Sequence, residues 1–243
     1  VVLVHGAWHG AWCWQPVVDG LRAQDVVVDA IDLPGHGDDT QPLTDLHGDA
    51  ARVTAALDAL ATVETGPVVL VGHSYGGAVI TQAGLHASIA HLVYVAAFML
   101  DEGESLLASA ADDPRAAAID HTGRPDAAAA LDFADDGTST VTLDGAKDLF
   151  YNDCPPEVAA RATARLTPQP MTNLGQSPTT VAWRDLPSTY AVCTLDNAVH
   201  PDLQRILADR ATHQVEWASD HSPFLSQPAV VVELLANLAR SIE

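Results

Sequence analysis

Lys147 is the only lysine in this chain of 243 residues, and with ten arginines it is set against 25 Asp and 7 Glu, for a formal charge of −21. So small a supply of cations excludes the basic face that a phosphate backbone requires, and it argues equally against docking on anionic bilayers. Neither nucleic acid nor membrane is therefore an expected partner. Long hydrophobic runs are missing as well. Stretches such as Val68–Val71 fall far short of the ~20 apolar residues that cross a bilayer as a helix. Cysteine is scarce: Cys13, Cys154 and Cys193 are odd in number, widely spaced and without a CxxC pair. That argues against a disulfide framework or a thiolate metal cluster and points to free, buried thiols in a reducing compartment. No basic segment with a signal-type apolar core precedes the first apolar run, Val1–Val4, so the cytoplasm is the expected location.

What is present is an ordinary globular composition, 48% hydrophobic, enough to build one generous domain or one domain with an insertion. The acidic bias is a statement about solubility, arising from salt adaptation or from genome composition. Short β-branched runs alternate with longer stretches of helical spacing. The runs are Val1–Val4, Val26–Ile31, Pro67–Val71, His91–Ala97, Thr189–Thr194 and Gln214–Trp217. Trp14–Arg22, Asp45–Leu60, Gly77–His86, Asp202–Ala211 and Ala229–Ile242 carry apolar residues at i, i+3 and i+4. Such alternation predicts an α/β fold, a mostly parallel doubly wound sheet with helices on both faces. Residues 101–185 break the rhythm, being rich in Ala, Asp and Pro with no convincing strand. So long a structureless loop does not fit a compact domain. The segment is expected to be a mostly helical cap inserted in a core made of 1–100 and 186–243.

Chemistry enters at Gly72-His73-Ser74-Tyr75-Gly76. A GxSxG alone is modest evidence, but this one lies between an apolar strand and the helical run that starts at Ala78, the strand–turn–helix setting of a nucleophile elbow. Such a turn projects the Ser74 hydroxyl above the sheet at a helix N-terminus, where the dipole favours negative charge. The base should follow late in the chain. His221, in Ser219-Asp220-His221-Ser222-Pro223 just after the last strand, is the expected general base, ahead of His200 and His213. Asp196, at the end of the preceding strand, is the expected acid that orients it. Asp101 is the rival, at another strand end, whereas Asp220 adjoins His221 and neighbouring side chains of an extended loop diverge. An oxyanion hole is expected from the N–H groups of Ala7, in the small-residue loop after Val1–Val4, and Tyr75. His5 and His9 stand at i, i+4, but no third ligand is near, so no metal and no cofactor are expected.

Together these residues resemble the α/β-hydrolase superfamily, and within it the plant methyl salicylate esterase (salicylate-binding protein) and hydroxynitrile lyase group with related compact bacterial carboxylesterases. The likeness rests on Val-Leu-Val-His-Gly-Ala-Trp-His-Gly-Ala-Trp over 2–12, Gly-His-Ser-Tyr-Gly-Gly over 72–77, Ala-Ala-Phe-Met over 96–99, Val-Cys-Thr-Leu-Asp over 192–196 and Asp-His-Ser-Pro over 220–223. It implies a six-stranded sheet in the order 2-1-3-4-5-6, a triad of Ser74, Asp196 and His221, and Phe98 in the substrate pocket. It also implies a serine carboxylesterase acting on small to medium apolar esters. In the lyases of this group a lysine follows the catalytic histidine and a threonine stands two residues past the first strand. Here those positions are Ser222 and Gly6, which disfavours lyase chemistry. A non-catalytic small-molecule receptor and a C–C bond hydrolase or lactonase on the same triad stay open. Trp8, Phe98, Phe150, Tyr151 and Trp183 are the expected substrate-binding residues. The oligomeric state is open, a homodimer included.

Overall fold

A computed structural model describes residues 1–63 and 66–242. Nine strands are present among them: β1 Val2–Val4, β2 Asp29–Ile31, β3 Val68–His73, β4 Ile89–Val95, β5 Leu131–Phe133, β6 Thr138–Val141, β7 Gln169–Pro170, β8 Ser188–Cys193 and β9 His213–Trp217. Six of them form one sheet in the order β2-β1-β3-β4-β8-β9, with every pairing parallel. Leaving out the three strands of the insertion, this is the expected order 2-1-3-4-5-6.

The sheet is buried on both faces because its central strands are apolar throughout rather than alternating. Successive residues of β3 go to opposite sides. Leu70 packs with Leu46, Val53 and Leu57 of the helix Leu46–Ala61 on one face. Val69 and Val71 pack with Val17 and Leu21 of the helix Gln15–Arg22, and with Val231 and Leu235 of the helix Pro228–Ile242, on the other. The helix Leu46–Ala61 begins where Asp45 accepts a 2.9 Å hydrogen bond from the Gly48 N–H, a cap worth about 1 kcal/mol. Among the described residues no helix is long and apolar enough to cross a membrane.

The insertion between β4 and β8 departs from expectation. It holds the helices Leu143–Phe150 and Pro156–Thr163, but it also contains a three-stranded antiparallel sheet, β5-β6-β7. The signal was a hairpin turn. Asp136-Gly137 precedes the β-branched run Thr138-Ser139-Thr140-Val141, Gly137 takes φ +82°, and Ala134 N–H closes on the Thr138 carbonyl at 2.9 Å. An Asp-Gly pair ahead of β-branched residues marks a hairpin even when the strands are short. A small core of Ala146, Leu149, Phe150, Tyr151, Ala159 and Ala162 holds the cap together.

Candidate active site

Ser74 caps the helix Tyr75–Ala83 with φ 52° and ψ −121°. A non-glycine residue held there stores about 1–3 kcal/mol of strain, sustained here by surrounding hydrogen bonds. Ser74 N–H donates to the Val95 carbonyl at 3.2 Å, and the Ser74 carbonyl accepts from Gly77 and Phe98 N–H at 2.9 and 3.1 Å. The loop after β1 can lie directly against this turn because Gly6 and Gly76 carry no side chains. A Cβ on Gly76 would come within 2.5 Å of the His5 carbonyl oxygen, and one on Gly6 within 2.9 Å of the Ser74 Cβ.

That same loop supplies N–H groups. Neither Ala7 N–H nor Tyr75 N–H has a hydrogen-bond partner among the described residues, and both residues line a cavity shared with Ser74 and His221. His5 fixes the direction of one of them. Its Nδ1–H donates 2.8 Å to the Gly6 carbonyl, while its Nε2 accepts from Leu33 N–H at 3.1 Å. In a planar trans peptide the C=O and N–H point opposite ways. Pinning Gly6 C=O therefore aims Ala7 N–H away from His5. His9 secures the next peptide, donating from Nδ1 to the Ala7 carbonyl and accepting at Nε2 from the Tyr151 hydroxyl. Burial pushes the His9 pKa down to about 4, so the ring stays neutral, and Trp8 between them takes φ 61°. On the other side Tyr75 is anchored by its hydroxyl, which donates to Asp49 at 2.5 Å. Burial raises the Asp49 pKa to about 6.

His221 and Asp196 meet as a buried pair, with His221 Nδ1 and Asp196 Oδ2 2.7 Å apart. The acid is saturated with donors. Oδ1 accepts from the N–H groups of Ala198 and Val199 at 2.7 and 2.9 Å, and Oδ2 also accepts from Gln204 Nε2 at 2.8 Å. The two rival carboxylates face elsewhere. Asp101 pairs with Arg184. Asp220 turns from its neighbour toward Ser222 N–H, Ser226 and the cap residues Asp153 and Cys154. Among the described residues Ser74 Oγ makes no hydrogen bond. It and His221 border the same cavity, and catalytic hydrogen bonds are often long before substrate arrives.

The cavity measures about 150 Å³ and is lined by Ala7, Trp8, Tyr75, Phe98, Leu106, Leu107, Ala127, Leu131, Leu149, Phe150, Leu174, Ala198 and Val199, besides Ser74 and His221. Among the described residues no Asp, Glu, Lys or Arg lines it. Trp8, Phe98 and Phe150, expected from the sequence as substrate contacts, are among the residues that line this cavity. Phe150 covers the His221 imidazole with 5.6 Å between ring centroids. Tyr151 and Trp183 do not line the cavity. The Tyr151 hydroxyl is taken up by His9, and the Trp183 indole N–H donates to the Leu100 carbonyl at 2.8 Å. An aromatic side chain with a polar handle goes where the handle is satisfied. The leucines from the cap gave no sign of their role, since nothing in a leucine distinguishes pocket from core.

Known proteins share this arrangement of chain. The model of the alpha/beta hydrolase family matches residues 1–234. Alpha/beta hydrolase nvfD of Aspergillus novofumigatus is 31% identical, over 98% of this chain and 96% of its own. Methyl jasmonate esterase 1 of Vitis vinifera is 29% identical, over 100% of this chain and 96% of its own. Among solved structures, a pyrethroid hydrolase of Sphingobium faniae JZ-2 superposes with a TM-score of 0.79 at 25% identity, covering 99% of this chain and 96% of the other.

Proposed function

The chain belongs to the α/β-hydrolase family, and from that premise we propose that it is a serine carboxylesterase cleaving small, uncharged, apolar esters through an acyl-enzyme. The observation that carries this reading is the joint placement of Ser74, His221 and two unengaged N–H groups on one apolar cavity. The Ser74 hydroxyl attacks the ester carbonyl carbon and its proton passes to His221 Nε2. The oxyanion that forms accepts from Ala7 and Tyr75 N–H, donors that are aimed before the reaction begins. Imidazolium is stabilised by Asp196, hydrogen-bonded at Nδ1. His221 then gives its proton to the departing alkoxide, leaving an ester on Ser74. Water, deprotonated by His221, attacks that ester; the new tetrahedral adduct expels Ser74 Oγ, which recovers the proton, and the acid is released.

Substrate size and sign follow from the walls. An apolar cavity of about 150 Å³ suits a group near the size of benzene. Of the arginines around the cap, Arg184 pairs with Asp101, Arg210 with Glu104, and Arg115 with Asp113 and Asp209; Arg124 donates to the Asp196 backbone carbonyl and Arg165 lies over the Trp12 ring, and none of these five lines the cavity. Neutral aryl esters are therefore expected to exceed matched analogues bearing a remote carboxylate by about tenfold or more in kcat/KM at low ionic strength. Long-range repulsion is screened near molar salt and desolvation of the carboxylate is not, so the gap should narrow without closing. A carboxylate-bearing ester that wins at low salt would require a cation in the pocket and overturn this assignment of substrate sign.

Lyase chemistry needs a cation beside departing cyanide. Ser222 follows the base, and the sole lysine, Lys147, is exposed on the outer face of its cap helix. Incubation with mandelonitrile should release no cyanide above the uncatalysed rate. Rapid release would show that this chain directs the same residues to carbon–carbon cleavage.

A further inference from the structure

His73 lies in the elbow, yet the chemistry proposed above makes no use of its side chain, and that side chain is wholly buried. Its Nε2 is 2.8 Å from the backbone carbonyl oxygen of His221, and the two rings lie 4.5 Å apart. A carbonyl only accepts, so the His73 proton resides on Nε2. Nδ1 has no partner among the described residues. The loop after β1 closes over it, because a Cβ on Gly6 would sit 2.9 Å from that atom. Burial, aided by His221 and His9 nearby, holds the His73 pKa well below 6.5.

We propose that His73 is a positioning residue for the general base: its Nε2–H ties the His221 backbone to the elbow and so sets the reach of the His221 ring to Ser74. The assignment rests on the serine-esterase reading. Asp196 holds His221 at the ring, and Asp220 fastens the surrounding loop to the cap. Among the described residues, His73 makes the one side-chain hydrogen bond from residues 72–76 to residues 218–222. Because His73 precedes Ser74 in the chain, this bond references the base to the nucleophile itself. A neutral donor is also the right kind. A lysine or arginine at that distance would oppose formation of the imidazolium on which the reaction depends.

The test compares His73→Leu, which fills the space without a donor, with His73→Gln, whose side-chain N–H reaches the place of the imidazole Nε2. A base misplaced by about 1 Å costs roughly 10²-fold. His73→Leu should therefore lose about 100-fold in kcat on p-nitrophenyl butyrate, with KM within about threefold of wild type and a cooperative melt. His73→Gln should recover to within about tenfold. A second readout is independent of turnover: the downfield proton resonance of the His221 Nδ1–H shared with Asp196. It should be sharp in wild type and His73→Gln, and broadened in His73→Leu. A His73→Leu protein with wild-type kcat or a wild-type resonance would overturn the proposal, as would His73→Gln as slow as His73→Leu. If the wild type turns over no ester, the esterase reading fails, and the resonance still decides the positioning.

Discussion

Ser74→Ala is expected to lower kcat for p-nitrophenyl butyrate by about 10⁶-fold while leaving the thermal melt unchanged within a few degrees. The size of the loss follows from the change of mechanism. Without the hydroxyl no acyl-enzyme forms, and the cavity retains only the help of the Ala7 and Tyr75 N–H groups toward direct attack by water. The fold should survive because the elbow is held by backbone hydrogen bonds at Ser74 N and O, none of which involves the hydroxyl. Alanine enters the same φ region at a similar steric cost. Comparable activity in Ser74→Ala and wild type would mean that Ser74 is not the nucleophile.

Asp196→Asn should cost about 10⁴-fold in kcat, on the pattern of acid-to-amide changes in triads. The hydrogen-bond inventory explains why the amide cannot substitute. The two oxygens of Asp196 accept from four donors, the N–H groups of Ala198 and Val199 at one and Gln204 and His221 at the other. An asparagine has one carbonyl oxygen. Its NH₂ must face either the two backbone donors or the Gln204–His221 side, and each choice sets donor against donor in a buried site. The second choice also forces the proton of His221 onto the wrong nitrogen. Asp101→Asn is the control. Asp101 faces Arg184 at a partly exposed surface, where an ion pair contributes about 0–1 kcal/mol, so its kcat should stay within about twofold of wild type. A dead Asp101→Asn beside a healthy Asp196→Asn would reverse the assignment of the acid.

The parts of this protein that could be read from sequence are those where covalent chemistry or backbone geometry restricts the residue. The parallel sheet was legible in its uninterrupted apolar runs, and the elbow in Gly72 and Gly76, which fit where a Cβ would strike backbone. His221 and Asp196 were readable because both sit at strand ends on one edge of the sheet. The cap was harder. β5 to β7 are short, and the Asp136-Gly137 turn was the one local cue. Its pocket residues, Leu106, Leu107, Leu131, Leu149 and Leu174, acquire their role from tertiary placement alone. Tyr151 shows the limit of reading aromatics as substrate contacts, since a buried hydroxyl must first find its partner. The buried histidines show the converse. His5 and His9 carry a spacing suggestive of a metal, yet they hold successive peptides of the loop that bears Ala7. Histidine is suited to that work because one neutral ring donates on one side and accepts on the other.

The central claim, a covalent ester on Ser74 formed with His221 as base, is tested most directly by intact-mass and peptide mass spectrometry after brief exposure to a fluorophosphonate. A single adduct is expected, located on the peptide containing Ser74, formed rapidly in wild type and slowed by several orders of magnitude in His221→Ala. An adduct on another residue, or ester turnover by a protein that takes up no phosphonate at all, would contradict it.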